Sequence, residues 1–409
     1  MKKINKVLYR AYQGAFRAAM PVLPYREPQT LCSVRAVGGL LESLKKKCVL
    51  IVTGRTLSGM GALNVLEASL EKNGIAYTVY NKTCVDPTPV NVEEAREMFI
   101  EAGCDTIIAF GGGSAIDCAK AVGARIAYPD HSLDDLKGLL KVKRAIPTLI
   151  AIPTTAGTGS EATVTAVITD QEKKTKYTMN SFSLIPKYAV LDPEVTLTMP
   201  RSLTATTGMD ALTHAVEAYI GKSTTAKTRA LSLEATKLIF ANIRTAANDG
   251  MNREARGKML RASYLAGCAF TQSYVGYIHA VAHTLGGRYG IPHGLANAVL
   301  MPIVLEAYGE CVYKKLHELG IAAGVADHTD ESEVGAKKFI SAIRELSREL
   351  DIPESLSGIK IAEIPELASY AEKEANPLYP VPRIMDAEEL EHFYFKVMDK
   401  KDRKSIALC

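Results

Sequence analysis

Ile107-Ile108-Ala109-Phe110-Gly111-Gly112-Gly113-Ser114-Ala115-Ile116-Asp117 passes from a short apolar run into a helix-forming one through three consecutive glycines. A run that is apolar at every position suits a strand buried on both faces. A glycine turn leading straight into a helix collects bare backbone N–H groups at a helix N-terminus, and that geometry binds phosphate. Glycine lets a diphosphate approach the backbone, and Ser114 can cap the helix and add a hydroxyl. Alone, the motif reads as readily as a tight βα turn.

Outward from this stretch the chain repeats the same alternation. Apolar runs at 48–53, 76–80, 106–110 and 148–152 are short, rich in Val and Ile and bounded by turn residues, with helical patterns near 34–46, 59–73, 92–103 and 114–126. Alternating strands and helices predict a doubly wound α/β domain with a parallel, Rossmann-like sheet. A second loop, Pro153-Thr154-Thr155-Ala156-Gly157-Thr158-Gly159-Ser160-Glu161, follows another of these strands. Two small-residue loops on adjacent strand ends suit a dinucleotide lying across the C-terminal edge of the sheet.

Residues 161–192, with a charged turn at Glu172-Lys173-Lys174, read as a hairpin plus a last strand at the end of that domain. Beyond Pro200 the strand pattern gives way to long helical periods at 202–220, 225–247, 254–270, 309–323, 334–350 and 386–399. The expected organisation is an extension with an amphipathic helix over 1–30, an α/β dinucleotide-binding domain over 31–200 and an all-helical metal-binding domain over 201–409. A cleft between two domains is where a ligand site is expected.

The chain has 409 residues, 47% of them hydrophobic and 23% charged, with a formal net charge of +4. This is a folded composition without the basic stripes that nucleic acid demands, so nucleic acid is not an expected partner. Eight cysteines occur without a C-x-x-C pair and read as reduced thiols. No apolar run reaches the roughly 20 residues that span a bilayer, and the first residues lack an apolar core followed by a small-residue cleavage site, so a cytoplasmic location is expected. Ile4, Val7, Leu8, Ala11, Tyr12, Ala15, Phe16, Ala19 and Met20 nevertheless fall at helical spacing among Lys3, Lys6, Arg10 and Arg17. That amphipathic helix is expected to dock on the protein's own body or at a subunit interface, in preference to a membrane surface.

The histidines carry the sharpest chemical signal. Four of the eight lie between 214 and 293, in two blocks. Asp210 and His214 are i and i+4, so both leave one helix face toward the same point. His279 and His283 repeat that spacing, and His293 follows after a Gly/Pro break. A lone histidine is more often a core or capping residue, but the clustering reverses that preference, whereas His131, His317, His328 and His392 lack such company. One carboxylate with three imidazoles suits a divalent metal and leaves a position open for a substrate oxygen.

With GGGSAIDCAK (111–120), IPTTAGTGSE (152–161), LTATTGMDALTHAVEAY (203–219) and GYIHAVAHTLGGRYGIPHG (276–294), the sequence resembles the iron-containing (group III) alcohol dehydrogenase family of the dehydroquinate-synthase-like fold. The resemblance spans about 30–400. It implies a metal, Fe(II) or in some members Zn(II), held by Asp210, His214, His279 and His293. It places His283 beside the metal and substrate, in a proton-handling role. It also implies that Gly112, Gly113 and Ser114 meet the pyrophosphate, with Asp117 from the same run, that Thr154, Thr155 and Thr158 line the cofactor, and that Lys176 and Leu191 border it.

Three departures stand out. Family members that prefer NAD commonly carry Asp after the first strand, where this chain has Gly54 followed by Arg55; the repelling charge is gone and a cation is offered. NADP(H) is therefore the favoured cofactor, with NAD(H) the alternative and a permissive turn the bland reading. Ala375-Asn376-Pro377 stands where relatives often have a Cys before Asn-Pro, and the 1–30 extension is longer than in short relatives. The expected function is hydride transfer between NAD(P)(H) and a small-molecule alcohol or aldehyde, by a homodimer or larger homo-oligomer. A glycerol dehydrogenase-type or dehydroquinate synthase-type enzyme, typically with one carboxylate and two histidines, and a non-enzymatic nucleotide-binding or scaffold protein are the alternatives.

Overall fold

The computed structural model describes residues 3–19, 23–171 and 175–404; the turn at Glu172-Lys173-Lys174, along with Met20, lies outside the described residues. The chain forms two compact units. One comprises Pro24–Met199 with Met251–Gly267, the other Met1–Leu23, Pro200–Gly250 and Cys268–Cys409.

The first unit contains strands β1 (Gln29–Leu31), β2 (Cys48–Val52), β3 (Ala76–Tyr80), β4 (Thr106–Gly111), β5 (Gly138–Leu139), β6 (Thr148–Pro153), β7 (Thr165–Asp170), β8 (Thr175–Asn180) and β9 (Tyr188–Val190). Six of them make a parallel sheet in the order β1-β9-β6-β4-β2-β3. Alternate residues face opposite sides, as the period of two requires. Leu50, Val52, Ile107, Ala109, Leu149 and Ala151 belong to one buried cluster, and Val49, Ile51, Ile108, Phe110, Ile150 and Ile152 to the other. With α1 (Lys3–Ala19) at the N-terminus, the next helices are α2 (Val37–Ser43), α3 (Arg55–Gly59), α4 (Asn64–Lys72), α5 (Pro89–Glu101) and α6 (Gly113–Ala127). Residues of α5 and α6 pack in the first cluster, residues of α2 and α4 in the second. Burial on both faces is why these strands read as unbroken apolar runs.

The strand order reverses at β2, whose two neighbours are β3 and β4. The chain leaves β2 to one side and returns to the other, so the loops after β2 and β4 flank a topological switch point, where doubly wound sheets bind ligands. Gly54 and Arg55 follow β2, and Gly112 to Ser114 follow β4. Gly111 pairs in register with Pro153, so the second loop starts level with the first on the next strand.

The expected hairpin and last strand are both present. The hairpin, with β7 antiparallel to β8, joins β5 in a separate three-stranded sheet. The last strand, β9, lies between β1 and β6, because the three-residue β1 pairs outside it. A three-residue strand just after Pro28 is too short to show any periodicity, and it lies across the expected boundary at residue 30.

The helices that follow are α7 (Arg201–Ile220), α8 (Ala226–Asn248), α9 (Arg253–Ser273), α10 (Tyr277–Tyr289), α11 (His293–Tyr308), α12 (Tyr313–Ala322), α13 (Ser332–Glu349), α14 (Ile364–Ala375), α15 (Ala387–Val397) and α16 (Lys400–Lys404). Among the described residues past 200, pairing is limited to the bridge Leu356–Met398. Most of α9, however, groups with the sheet. Gly267 lies against Gly159, where a Cβ on Gly267 would sit 2.7 Å from the Gly159 carbonyl oxygen, and the Tyr264 hydroxyl donates to Pro28 O at 2.9 Å.

Helix α1 docks on the protein's own body, by its polar side. Arg10 donates to Val381 O and Pro382 O at 2.7 and 2.9 Å, and the buried Gln13 donates to Tyr379 O at 2.7 Å. Its apolar residues Val7 and Leu8 remain 67% and 60% exposed. No helix of the described residues is long and apolar enough to cross a membrane.

Candidate metal centre

Helix α7 is buried around its whole circumference from Gly208 to Ile220, which places its few polar residues inside the helical unit. Asp210 and His214, one turn apart, project from it, and α10 supplies His279. His293 is the first residue of α11, after Pro292, whose fixed φ brings the chain into the helix. One ligand atom from each of Asp210, His214, His279 and His293 lies within 4.8 Å of all the others. His293 Nε2 is 3.5 Å and His279 Nε2 3.9 Å from Asp210 Oδ1. The His214 ring stacks on Phe270 at 4.2 Å between centroids, an apolar brace for that imidazole.

The chemistry of these donors fits a divalent cation. His279 Nδ1 lies 2.6 Å from Glu217 Oε2, which fixes Nδ1 as the protonated nitrogen and turns Nε2 toward the cluster. That Nε2 is buried and has no hydrogen-bond partner among the described residues. Burial, then the neighbouring His214, His293 and His283, push the His279 titration well below its usual value, so the ring is neutral with its lone pair available. A buried lone pair aimed at a carboxylate and two further imidazoles is unsatisfied without a cation.

Two supporting residues escaped the sequence reading. Glu217 follows His214 by three positions on α7, so the face that carries Asp210 and His214 continues to it; that spacing was the available signal. Its carboxylate accepts from Gly276 N at 2.8 Å, Ile278 N at 2.9 Å and His279, and so fastens the start of α10 to α7. Burial pushes Glu217 up to about 7, opposed by those three donors. Asn297, fully buried one turn after His293, donates to Asp210 Oδ1 at 2.7 Å. This holds the carboxylate in place.

His283, expected beside the metal, stacks on His293 with ring centroids 5.2 Å apart. Its Nδ1 is 2.7 Å from Glu374 Oε1, which also accepts the Tyr379 hydroxyl at 2.8 Å. The side chain is 40% exposed, and thus reachable by a ligand. His131, His317, His328 and His392 stand apart from the cluster.

In the other unit, the two small-residue loops lie back to back. A Cβ on Gly112 would meet the Thr155 side chain at 3.2 Å, and one on Gly113 would meet Thr158 at 3.0 Å. Thr154 N donates to Gly111 O at 3.0 Å. Ser114 Oγ accepts from Asp86 N at 3.4 Å, and Lys176 pairs with Asp86 at 2.6 Å, so Lys176 and Ser114 border one loop. Leu191 is half-buried and donates its N–H to Leu31 O. Gly54 precedes the exposed Arg55 at the start of α3.

Asp117 is placed differently from a ligand-facing residue. Its carboxylate accepts from Ser160 Oγ at 2.6 Å and Val167 N at 3.1 Å. Beside it the fully buried Lys120 donates to Ser160 Oγ, to both Thr163 oxygens and to Thr165 O. These groups clamp α6 to the loop that starts at Thr154. Both Asp117 oxygens are used within the protein.

A model described as iron-containing alcohol dehydrogenase matches residues 31–193, and one described as Fe-containing alcohol dehydrogenase family, C-terminal, matches 204–398. The chain belongs to the iron-containing alcohol dehydrogenase family. It is 37% identical over 354 residues to a 1,3-propanediol dehydrogenase of Klebsiella pneumoniae, covering 84% of this chain and 90% of that one. The crystal structure of a 1,3-propanediol oxidoreductase matches with a TM-score of 0.87 at 34% identity, over 91% of this chain and 99% of that one. Sulfoacetaldehyde reductase from Bifidobacterium kashiwanohense, solved in complex with NAD+, matches with a TM-score of 0.81 at 27% identity, over 91% of this chain and 98% of that one. As a member of this family the chain is an alcohol- and aldehyde-converting oxidoreductase, with a group of one Asp and three His that could hold a metal ion.

Proposed function

We propose that Asp210, His214, His279 and His293 hold an Fe(II) or Zn(II) ion, and that the enzyme reduces small aldehydes with NADPH, or oxidises the corresponding alcohols with NADP+. The observation that carries this reading is the buried, partnerless Nε2 of His279, held by Glu217 to face Asp210 and two further imidazoles. A bound ion there supplies a Lewis acid for the substrate oxygen, and the nicotinamide supplies or takes the hydride.

The chain's own residues do the positioning. Asp210 contributes the one negative charge among the four ligands, and Asn297 fixes its orientation. Phe270 and the surrounding apolar helices keep bulk water from the three buried ligands. Gly112, Gly113 and Ser114 hold the pyrophosphate against the N-terminus of α6, with Thr154, Thr155 and Thr158 beside them. Lys176 and Leu191 border the cofactor. Arg55, with no carboxylate at Gly54, favours a 2'-phosphate.

His283 passes the substrate proton outward through its contact with Glu374. Its replacement in His283→Ala is expected to lower kcat by about 10²-fold or more and flatten the pH–rate profile. An unchanged profile removes it from the mechanism. The reading as a whole is tested by metal analysis of anaerobically purified protein, paired with a panel of aldehydes and NADPH or NADH. Protein that binds neither ion overturns it, and a preference for NADH overturns the cofactor assignment alone.

A further inference from the structure

Outside the metal centre, one cavity of about 390 Å³ in the helical unit collects positive charge. Arg17 of α1, Lys222 in the turn after α7, Arg229 in the first turn of α8 and Lys315 of α12 line it, together with Thr224 and Cys311. Its four cations come from three stretches far apart in sequence, around residues 17, 222–229 and 315, and no carboxylate is among the lining residues.

Lys315 donates to Tyr219 O, Ile220 O and Gly221 O at 3.2, 3.0 and 2.7 Å, so its ammonium is fixed at the C-terminal turn of α7. Arg229 Nη1 donates to Thr224 Oγ1 at 3.2 Å. The Arg17 and Lys222 side chains have no ion-pair or hydrogen-bond partner among the described residues. Nearby, Arg10 adds a further cation, and the acid acting on Lys315 is Glu318, whose carboxylate already takes the Tyr219 hydroxyl.

Like charges gathered in one cavity repel. Burial, then Arg229, with Lys222 and Arg17 adding to them against Glu318, push Lys315 down to about 8. A multivalent anion reverses that repulsion. Two guanidinium forks match phosphate oxygens bidentately, two ammonium groups add point charge, and the N-terminus of the 23-residue α8 adds the positive end of its dipole. The volume suits a small molecule rather than a polymer.

We propose that this cavity is a binding site for a phosphate-bearing small molecule, distinct from the metal centre and from the glycine loop. It abuts the end of α7, the helix that carries Asp210 and His214.

The test is calorimetric titration of inorganic phosphate, and in a second arm of glycerol 3-phosphate, into full-length metal-loaded enzyme saturated with NAD(P)H. Ionic strength is held constant with chloride. One site is expected, and Lys222→Gln and Arg229→Gln are each expected to weaken it by about tenfold or more. Activity of both variants without phosphate should equal that of the parent enzyme, which shows that they are folded. Tighter binding of the ester identifies a phosphorylated metabolite as the ligand class, and tighter binding of the inorganic ion identifies free phosphate. No binding above the chloride background, or equal binding by parent and variants, overturns the proposal.

Discussion

Glu217 contributes no ligand atom, yet it decides which nitrogen of His279 is available. Its carboxylate accepts a hydrogen bond from Nδ1–H, and the same two oxygens accept the backbone N–H groups of Gly276 and Ile278. Glu217→Gln keeps the size but removes the charge, so metal affinity is expected to fall by about 10–100-fold with the fold retained. Competition with a chromophoric chelator, read beside the circular dichroism spectrum, checks it. Gly54 presents the converse case, a residue notable for what it lacks. A Cβ there meets only Thr83 O at 3.3 Å, so an aspartate needs a small adjustment to fit. In Gly54→Asp the new carboxylate is expected to lower the ratio of kcat/KM for NADPH over NADH by about tenfold or more. An unaltered ratio would place the discrimination elsewhere.

At the scale of elements, the loop from Thr154 is held on two sides. Lys120 and Asp117 on α6 grip it at Ser160, Thr163 and Thr165, and Gly159, at φ +60°, touches Gly267 on α9. Lys120→Ala leaves Asp117 buried without its cation and several oxygens without a donor, and a loss of about 3–5 kcal/mol is expected. Gly267→Ala forces a methyl to within 2.7 Å of the Gly159 carbonyl, neither part of a flexible side chain, and about 1–3 kcal/mol is expected to be lost. Urea unfolding measures both. The helix spacings at 210/214 and 279/283 and the apolar runs of β2, β4 and β6 were legible because they depend on local periodicity alone. Strand β1, the separate sheet of β7 and β8, and the clamp formed by Asp117 were not. Each is set by a partner distant in sequence, and Asp117 looked like part of a phosphate loop because it lies one helical turn past the glycines.

For the whole molecule, a metal that binds only the folded helical unit stabilises it by mass action. Removing the ion with a chelator is therefore expected to lower Tm by several degrees, and restoring either Fe(II) or Zn(II) to recover it; an identical Tm with and without chelator argues against occupation of this site. Helix α1 docks on the protein's own body, one of the two placements its spacing suggested, but the contact is polar: Arg10 and Gln13 donate to backbone carbonyls of 379–382, and Val7 and Leu8 stay exposed on the chain. The sequence by itself determined the alternation of strands and helices, the glycine loop and the identity of the four ligand-type residues, because periodicity and residue chemistry are local properties. Only the tertiary structure decided that ligand atoms of Asp210, His214, His279 and His293 lie within 4.8 Å of one another and that Glu217 orients His279. Only it decided that cations from three separate stretches of the chain share a cavity. Convergence of side chains from different helices depends on how those helices pack, which no local spacing encodes.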